Sequence, residues 1–319
     1  MAFLKKLKWF WYLLFFFSTF MVMLYLTFPA DTLKGYVTEQ VEQSLSAEGN
    51  GQWVYPPSVQ IGKMSLWRLS GVSMKEVSIQ PASFTNKPAD KWIFNQLKMR
   101  VGIFSTLGGK PQINFDSYLY DGRARGSVTL TPEGGISRFW FDLGHFDLNK
   151  FVNVSKDAEL PMKGIVNINA EFDLGKNPAT DGDGELNLDL KNFAIGPGKL
   201  ELPIPGMAGG LSVPQINFGQ LTGNVSLQKG KGKTKNLRLA GGDLEANLNL
   251  DVDMHKNLLR SRLGGSGWFR IAPQFLNKNP QFKALLDFSP DLKKAREADG
   301  KYPFTLKGTL GMPFPKFGK

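Results

Sequence analysis

Polar and apolar residues alternate strictly along several segments of this chain, and this pattern constrains the fold more than any other feature. The clearest examples are residues 166–174, 186–190 and 244–252. Because successive side chains of a β-strand point to opposite faces, each segment places its apolar residues on one face and its polar residues on the other. Sheets with one solvent-exposed face and one buried face are typical of antiparallel pairing.

Weaker strand signals fill the gaps between these segments, and turns rich in glycine separate them. The signals lie at residues 92–101, 113–120, 127–131, 138–143, 221–227 and 302–310. Strands that recur every 8–12 residues or so are typical of an all-β domain. The sequence therefore predicts a mostly β fold over residues 52–319: a curved antiparallel sheet with few short helices. A short polar helix over 290–298 and an irregular Gly/Pro-rich connection over 196–214 are expected to interrupt it.

Near the N-terminus, residues 9–28 carry no charge and follow three lysines. A helix of this length rises about 30 Å, which matches the hydrocarbon core of a bilayer. By the positive-inside rule, residues 1–8 form a cytoplasmic tail and the chain after residue 28 is exported. A cleaved signal peptide is the alternative, but its apolar region spans only about 7–15 residues and ends in small residues. The longer run and the bulky Phe28 favour a retained transmembrane helix over 9–28.

A second helix is expected directly after this segment. Leu33, Val37, Val41 and Leu45 recur every four residues, and the residues between them are mostly polar. Apolar residues at this spacing form one stripe on a helix surface. The sequence therefore predicts an amphipathic linker helix over residues 29–48.

The residue types that enzymes depend on are scarce. The chain has no cysteine and two histidines, which excludes thiolate chemistry and leaves few ligands for a zinc site. No phosphate-binding loop occurs, and Trp268 stands where the nucleophile elbow suggested by residues 264–268 needs its second glycine. Acids on the alternating segments are expected to form the solvated face of the sheet; they are Glu171, Asp173, Asp189, Glu245 and Asp251. We therefore predict no enzyme, no catalytic residue, no metal and no cofactor.

The apolar residues of the three clearest segments are candidates for lining a groove. They are Val166, Ile168, Phe172, Leu186, Leu188, Leu190, Leu244, Leu248 and Leu250. If the sheet curls on itself, this face forms an ordinary core. If it stays open, it lines an apolar groove wide enough for acyl chains, and the pattern alone leaves both alternatives open.

Four lysines that alternate with small residues form the sharpest charge feature of a chain whose net charge is +11. They are Lys229, Lys231, Lys233 and Lys235. One interpretation is a solvated hairpin loop, and the other is a loop that contacts lipid phosphate or an acidic partner. Nucleic acid is not expected as a partner, because the chain is exported and no aromatic residue for base stacking lies among the lysines.

Several stretches, in their order along the chain, carry a family likeness. They are the lysine-led apolar segment with residues 33–45, then 59–79, then 97–101 with 118–123, then 239–244, and finally 302–310. This order resembles the type II secretion protein N (GspN) family and, more distantly, the AsmA-like proteins. The resemblance implies a Gram-negative envelope protein that is anchored in the inner membrane by a single pass, with its bulk in the periplasm. It implies an accessory role in type II secretion beside other components of that machine. The AsmA-like side implies the alternative, a U-shaped β-groove that shields phospholipid tails.

Overall fold

The computed structural model describes residues 2–47, 54–68, 70–83, 91–132, 135–151, 161–200 and 211–318. The α-helices in this part of the chain are α1 (Ala2–Leu26), α2 (Ala30–Ala47), α3 (Ile103–Leu107), α4 (Pro178–Asp181), α5 (Pro273–Lys278), α6 (Pro280–Phe288) and α7 (Pro290–Ala295). The strands are β1 (Ser58–Trp67), β2 (Gly71–Gln80), β3 (Trp92–Val101), β4 (Gln112–Leu119), β5 (Gly122–Leu130), β6 (Ile136–Asp147), β7 (Met162–Asp173), β8 (Asp183–Ile195), β9 (Gly198–Leu200), β10 (Leu211–Val213), β11 (Ile216–Gln228), β12 (Lys231–Ala240), β13 (Leu244–Asp253), β14 (Arg262–Ile271), β15 (Lys301–Thr309) and β16 (Met312–Phe317).

Fourteen of these strands form one sheet whose spatial order follows the sequence. The order runs from β1 to β8 and continues from β11 to β16, while β9 and β10 pair with each other as a separate small sheet. Strands that are neighbours along the chain are joined most simply by antiparallel hairpins, and every pair in this sheet is antiparallel. The prediction of a mostly β, antiparallel fold with few short helices is therefore confirmed.

The predicted elements can be located within this sheet. The three clearest alternating segments fall in β7, β8 and β13, and the polar helix expected over 290–298 is α7, which is capped by the Ser289 hydroxyl. Three strands of the large sheet, β12, β14 and β16, escape the sequence prediction. The connection predicted to be irregular over 196–214 contains β9 and β10, and its residues 201–210 lie outside the described ones.

One apolar face runs along the whole sheet. Ile61 on β1 lies opposite Val77, Ile168 on β7 lies opposite Leu188, and Leu250 on β13 lies opposite Gly265. Cross-strand partners share a face, so each pair adds apolar surface to one face of its part of the sheet.

Buried apolar side chains gather at the two flanks of this face. At the first flank, the side chains of β1 and β2 pack beneath Leu33, Val37, Val41 and Leu45 of α2. At the second flank, residues of β14 and α5 pack with residues of α6. Between the flanks most apolar side chains are only half-buried.

The amphipathic linker helix is α2, and it covers the outer edge of the sheet as well as its first flank. The Glu42 carboxylate accepts a hydrogen bond from the Val59 backbone N–H at 2.8 Å. The Lys34 ammonium donates to the Gly62 carbonyl at 3.2 Å. An uncovered edge strand offers its backbone groups to other chains, and α2 occupies these groups on β1. At the other edge, β16 carries Pro313 and Pro315, which cannot donate to a further strand.

Helix α1 covers most of the segment that was predicted to cross a membrane. Its described apolar side chains, Phe15 and Phe16 among them, are exposed. At the C-terminal end of α1, the Tyr25 hydroxyl donates to the Leu66 carbonyl near the end of β1, at 3.3 Å. In a search limited to described residues, no helix is long and apolar enough to span a membrane.

The opposite face of the sheet is polar, and ion pairs cross it between neighbouring strands. Arg123 donates twice to the Asp116 carboxylate, at 2.9 and 2.6 Å. Two of the acids expected on the solvated face are paired there, Glu171 with Arg138 and Glu245 with Arg270. The hydrogen bond from Arg123 is the main reason why the pKa of Asp116 lies below its ordinary value of 3.8.

We expect Asp116→Asn to lower the free energy of unfolding at pH 7 by about 0.5–1 kcal/mol, the scale of a partly exposed ion pair. A carboxylate whose pKa is lowered in the folded state contributes stability above its unfolded pKa and loses it as the pH falls through the folded value. The difference between the two proteins should therefore shrink below about pH 4. Thermal unfolding of the full chain in a mild detergent measures this. A difference that stays constant from pH 7 to pH 3 would argue against the pairing.

Candidate functional site

An apolar cavity of about 460 Å³ opens on the apolar face of the sheet. It is lined by Ile136, Phe139, Phe172, Leu174, Leu186, Val225, Leu227, Gly232, Thr234, Leu250, Val252, Met254, Leu258, Leu263 and Leu310. These residues include members of seven neighbouring strands, from β6 to β8 and from β11 to β14. Because seven strands laid flat would span about 29 Å, a single cavity that all of them touch requires the sheet to bend around it.

The described side chains that line the cavity leave no hydrogen-bonding group free for a ligand. Among the lining residues that the structure describes, Thr234 alone has a polar side chain. The Thr234 hydroxyl donates to the Leu248 carbonyl at 3.3 Å and accepts from the Leu250 backbone N–H at 2.6 Å. Since this hydroxyl is occupied by the sheet itself, a polar group placed in the cavity would lose its hydrogen bonds to water without replacement.

The register explains why the cavity is apolar throughout. Phe172 lies opposite Gly184 on β8, Leu186 lies opposite Val225 on β11, and Val252 lies opposite Leu263 on β14. Each of these positions is apolar or glycine, so polar side chains of the same strands point to the other face. Gly232 adds no side chain beside Val252, which leaves room in the cavity.

The nine predicted groove residues all lie on the apolar face, but they do not form one site. Phe172, Leu186 and Leu250 line the cavity. Leu244 belongs instead to the flank that α5 and α6 cover, and Leu190 is buried. The remaining four share the face outside the cavity; they are Val166, Ile168, Leu188 and Leu248.

Most of the cavity lining escaped the sequence prediction. Val252 lies in an alternating segment, and Val225 and Leu227 lie in a weaker one, so the pattern could have found them. Met254, Leu258 and Leu310 lie in the connections between strands, Leu258 at the start of a short 3₁₀-helix, and side chains do not alternate between two faces there. Their place in the site follows from the bending of the sheet, which no local pattern encodes.

The lysines predicted to form a loop lie mostly in a strand. Lys229 alone occupies the turn, whereas Lys231, Lys233 and Lys235 belong to β12. Lys231 lies opposite Asp253 and Lys233 opposite Asp251. Both strand positions alternate with Gly232 and Thr234 of the cavity lining, so Lys231 and Lys233 belong to the polar face. The prediction of a lysine loop is therefore wrong for Lys231, Lys233 and Lys235, which lie in β12. Lys231 and Lys233 form one face of this strand, and Gly232 and Thr234 form the other.

A hollow of about 520 Å³ lies across β6, β7, β8, β11 and β12, and its lining includes asparagines of the polar face as well as Ile168 and Leu188, two of the predicted groove residues. Its amides pair with one another and with the backbone. The Asn224 amide donates to Asn187 at 2.7 Å, and the Asn167 side chain accepts from the His145 backbone N–H at 2.9 Å. These groups are already satisfied, so the hollow resembles an ordinary solvated sheet surface more than a binding site.

Catalytic chemistry finds little support in the described residues. Residues 264–268, which superficially resemble a nucleophile elbow, lie inside β14 instead of at a strand-to-helix turn. Across the described ranges, no three His, Asp or Glu side chains come close enough together to hold a metal ion. Of the two histidines, His145 lies in β6 and His255 lies in the turn after β13.

Comparison of the chain with protein families, with curated proteins and with solved structures gives no match. The likeness to the type II secretion protein N and AsmA-like families therefore rests on the stretches quoted above and stays a prediction.

Proposed function

We propose that this protein binds the acyl chains of phospholipid in the apolar cavity, as a lipid-binding or lipid-transfer module. The single observation that carries the proposal is a cavity of about 460 Å³ whose described lining residues offer no free hydrogen-bonding side chain. This volume lies within the range of about 300–1,000 Å³ that is usual for small-molecule sites. Apolar cavities tend to stay dry and to take up apolar ligands.

The occupant should be a hydrocarbon tail and not a peptide. A peptide segment brings a backbone N–H and a carbonyl with each residue, and these groups need partners when they are buried. The Thr234 hydroxyl is already bonded on both sides, so the side chains of the cavity provide no such partner. A methylene chain needs none, and each buried CH₂ contributes about 0.8 kcal/mol.

We further propose that α1 anchors the chain in the bacterial inner membrane, with its N-terminus in the cytoplasm and its sheet in the periplasm. Residues 9–28 carry no charge, and the described side chains of α1 are exposed instead of packed on the sheet. Large exposed apolar surfaces of this kind mark contacts with a membrane or a protein. Tyr25 at the end of α1 suits the interface between lipid and water.

An accessory role in type II secretion remains our second proposal. It rests on the family likeness, and no contact in the structure favours it over lipid binding. Copurification of the full chain with other secretion components would support it, and a chain that brings down phospholipid but no such component would favour the lipid role alone.

Native mass spectrometry of the full chain, released from membranes in a mild detergent, tests lipid binding. We expect a population whose excess mass equals one or more phospholipids and which survives detergent exchange. A chain that is free of lipid in every detergent, and that takes up none when phospholipid is added back, would refute the proposal.

A further inference from the structure

We propose that one end of the sheet is a docking surface for an anionic phospholipid bilayer. This surface, called here the loop end, consists of the turns that follow β1, β3, β5, β7, β11, β13 and β15. It rests on the proposed function in one respect, because it assumes that α1 holds the chain at a membrane. The docking surface further specifies which end of the sheet contacts the membrane and that the contacted lipids are anionic.

The position of α1 points to this end of the sheet. The Tyr25 hydroxyl donates to the carbonyl of Leu66, the next-to-last residue of β1. The turn after β1 belongs to the loop end, so the chain leaves α1 beside it. A helix that is embedded up to Tyr25 would hold these turns close to the level of the lipid headgroups.

The loop end also carries the most exposed apolar side chains of the described sheet and turns. Leu107 at the end of α3 is 81% exposed, Leu259 in the turn after β13 is 68% exposed, and Met312 beside the turn after β15 is 69% exposed. They lie in or beside three separate turns, so the packing of a single turn does not explain why all three side chains are exposed. Apolar tips on separate loops can enter a bilayer together, where the hydrocarbon contact that water denies them becomes available.

The charges of the described turns differ between the two ends of the sheet. Among the described residues of the turns at the loop end, six are basic and one is acidic. The basic ones are Arg68, Lys110, Lys176, Lys229, Lys256 and Arg260, and the acid is Asp181. The described residues of the connections at the opposite end include eight basic and six acidic ones, a nearly balanced set. An excess of lysine and arginine beside apolar tips favours a surface with anionic headgroups.

The apolar cavity opens at this same end. Met254, Leu258 and Leu310 of its lining lie in the turns after β13 and β15. A second hollow of about 430 Å³ adjoins it through the neighbouring residue pairs 136–137 and 174–175. Three cations, Lys110, Arg138 and Lys176, and one acid, Asp173, line that hollow, and Arg138 is paired with Glu171. A lipid could therefore pass its tail from the bilayer into the cavity while its phosphate stays among cations.

The chain has no cysteine, so single labels can be placed on the full-length protein. We propose Leu107→Cys, Leu259→Cys and, at the opposite end, Ile93→Cys, which replaces a side chain that is 50% exposed. Each variant receives an environment-sensitive fluorophore and is reconstituted through α1 into phosphatidylcholine vesicles, with or without phosphatidylglycerol. Phospholipids that carry a quencher in their tails then report the depth of each label.

We expect several-fold stronger quenching at positions 107 and 259 than at position 93, and a further increase when phosphatidylglycerol is present. Replacing Lys110, Lys256 and Arg260 by Gln should remove that increase, whereas replacing Lys278, Lys283 and Lys293 by Gln at the opposite end should not. High salt should weaken the effect of phosphatidylglycerol. Equal quenching at all three positions would overturn the docking surface, as would an anionic dependence that survives the first triple replacement.

Failure of docking and failure of lipid binding can be told apart. Labels at the loop end that remain in water, in a protein that still copurifies with phospholipid, would refute the docking surface alone. Labels that enter the bilayer in a protein that never carries phospholipid would refute the acyl-chain cavity and leave the docking surface standing.

Discussion

Leu186→Asp should abolish the copurification of phospholipid with the full chain, with an affinity loss on the order of 100-fold. Leu186 lies on β8 and lines the apolar cavity. None of the described side chains around the cavity has a free donor for a hydrogen bond to a carboxylate there. The aspartate side chain is too short to reach the polar face. Either the charge or the water that accompanies it would occupy the space of the tail.

The neighbouring residue provides a matched control. Asn187 lies on the same strand but points to the polar face, where it accepts from Asn224. Asn187→Asp therefore adds the same charge at nearly the same place and should leave bound phospholipid unchanged. Leu186→Met, which conserves volume and polarity, should also retain it. If Leu186→Asp and Asn187→Asp keep equal amounts of phospholipid, the tail does not occupy this cavity.

Ile61→Asp should lower the free energy of unfolding by at least about 4 kcal/mol. Ile61 is 4% exposed and packs in the flank between β1, β2 and α2. The substitution removes a buried branched side chain and places a carboxylate among apolar neighbours. Since α2 covers the edge of β1 as well as this flank, its detachment would also expose the backbone of an edge strand.

Two matched variants separate burial from charge at this flank. Gln60→Asp places the same charge on the exposed neighbouring position of β1 and should cost less than about 0.5 kcal/mol. Ile61→Val removes one methylene and should cost about 0.5–1.5 kcal/mol. Thermal unfolding in detergent and protease cleavage within α2 measure the effect. A stable Ile61→Asp protein with a protected α2 would show that this flank is not a core.

The alternation of side chains was enough to predict the antiparallel sheet. A strand with one face in solvent and one face buried needs polar and apolar residues in alternation, and this pattern is visible in the sequence. The same rule failed for β14, where glycines occupy positions on the apolar face. Gly267 has no room for a side chain, since an added Cβ would lie 2.5 Å from the Asn247 backbone oxygen and 3.0 Å from Phe304 Cζ. Its neighbours supply the apolar surface that covers it. Where glycine stands on the apolar face, as at Gly265 and Gly267, the strand shows no apolar side chain, so its alternation is interrupted.

The cavity could be predicted only in part, for a different reason. Strand parity placed Phe172, Leu186 and Leu250 on the correct face. It could not show that Leu244 lies under α5 and α6, or that Leu258 and Leu310 reach the cavity from turns. These facts depend on how strongly the sheet bends and where its helices settle. Contacts between residues that are distant in sequence decide the bending of the sheet and the position of its helices. The alternation of residues along one strand does not report such contacts.

Photocrosslinking from the cavity to lipid tests the central proposal most directly. A photoreactive amino acid would replace Leu250, which lines the cavity, or Asn249, the adjacent exposed residue on the other face of β13. Irradiation of membranes that contain labelled phospholipid should attach lipid to the full chain at position 250 and not at position 249. Equal labelling at both positions, or none at position 250, would contradict a lipid tail in this cavity.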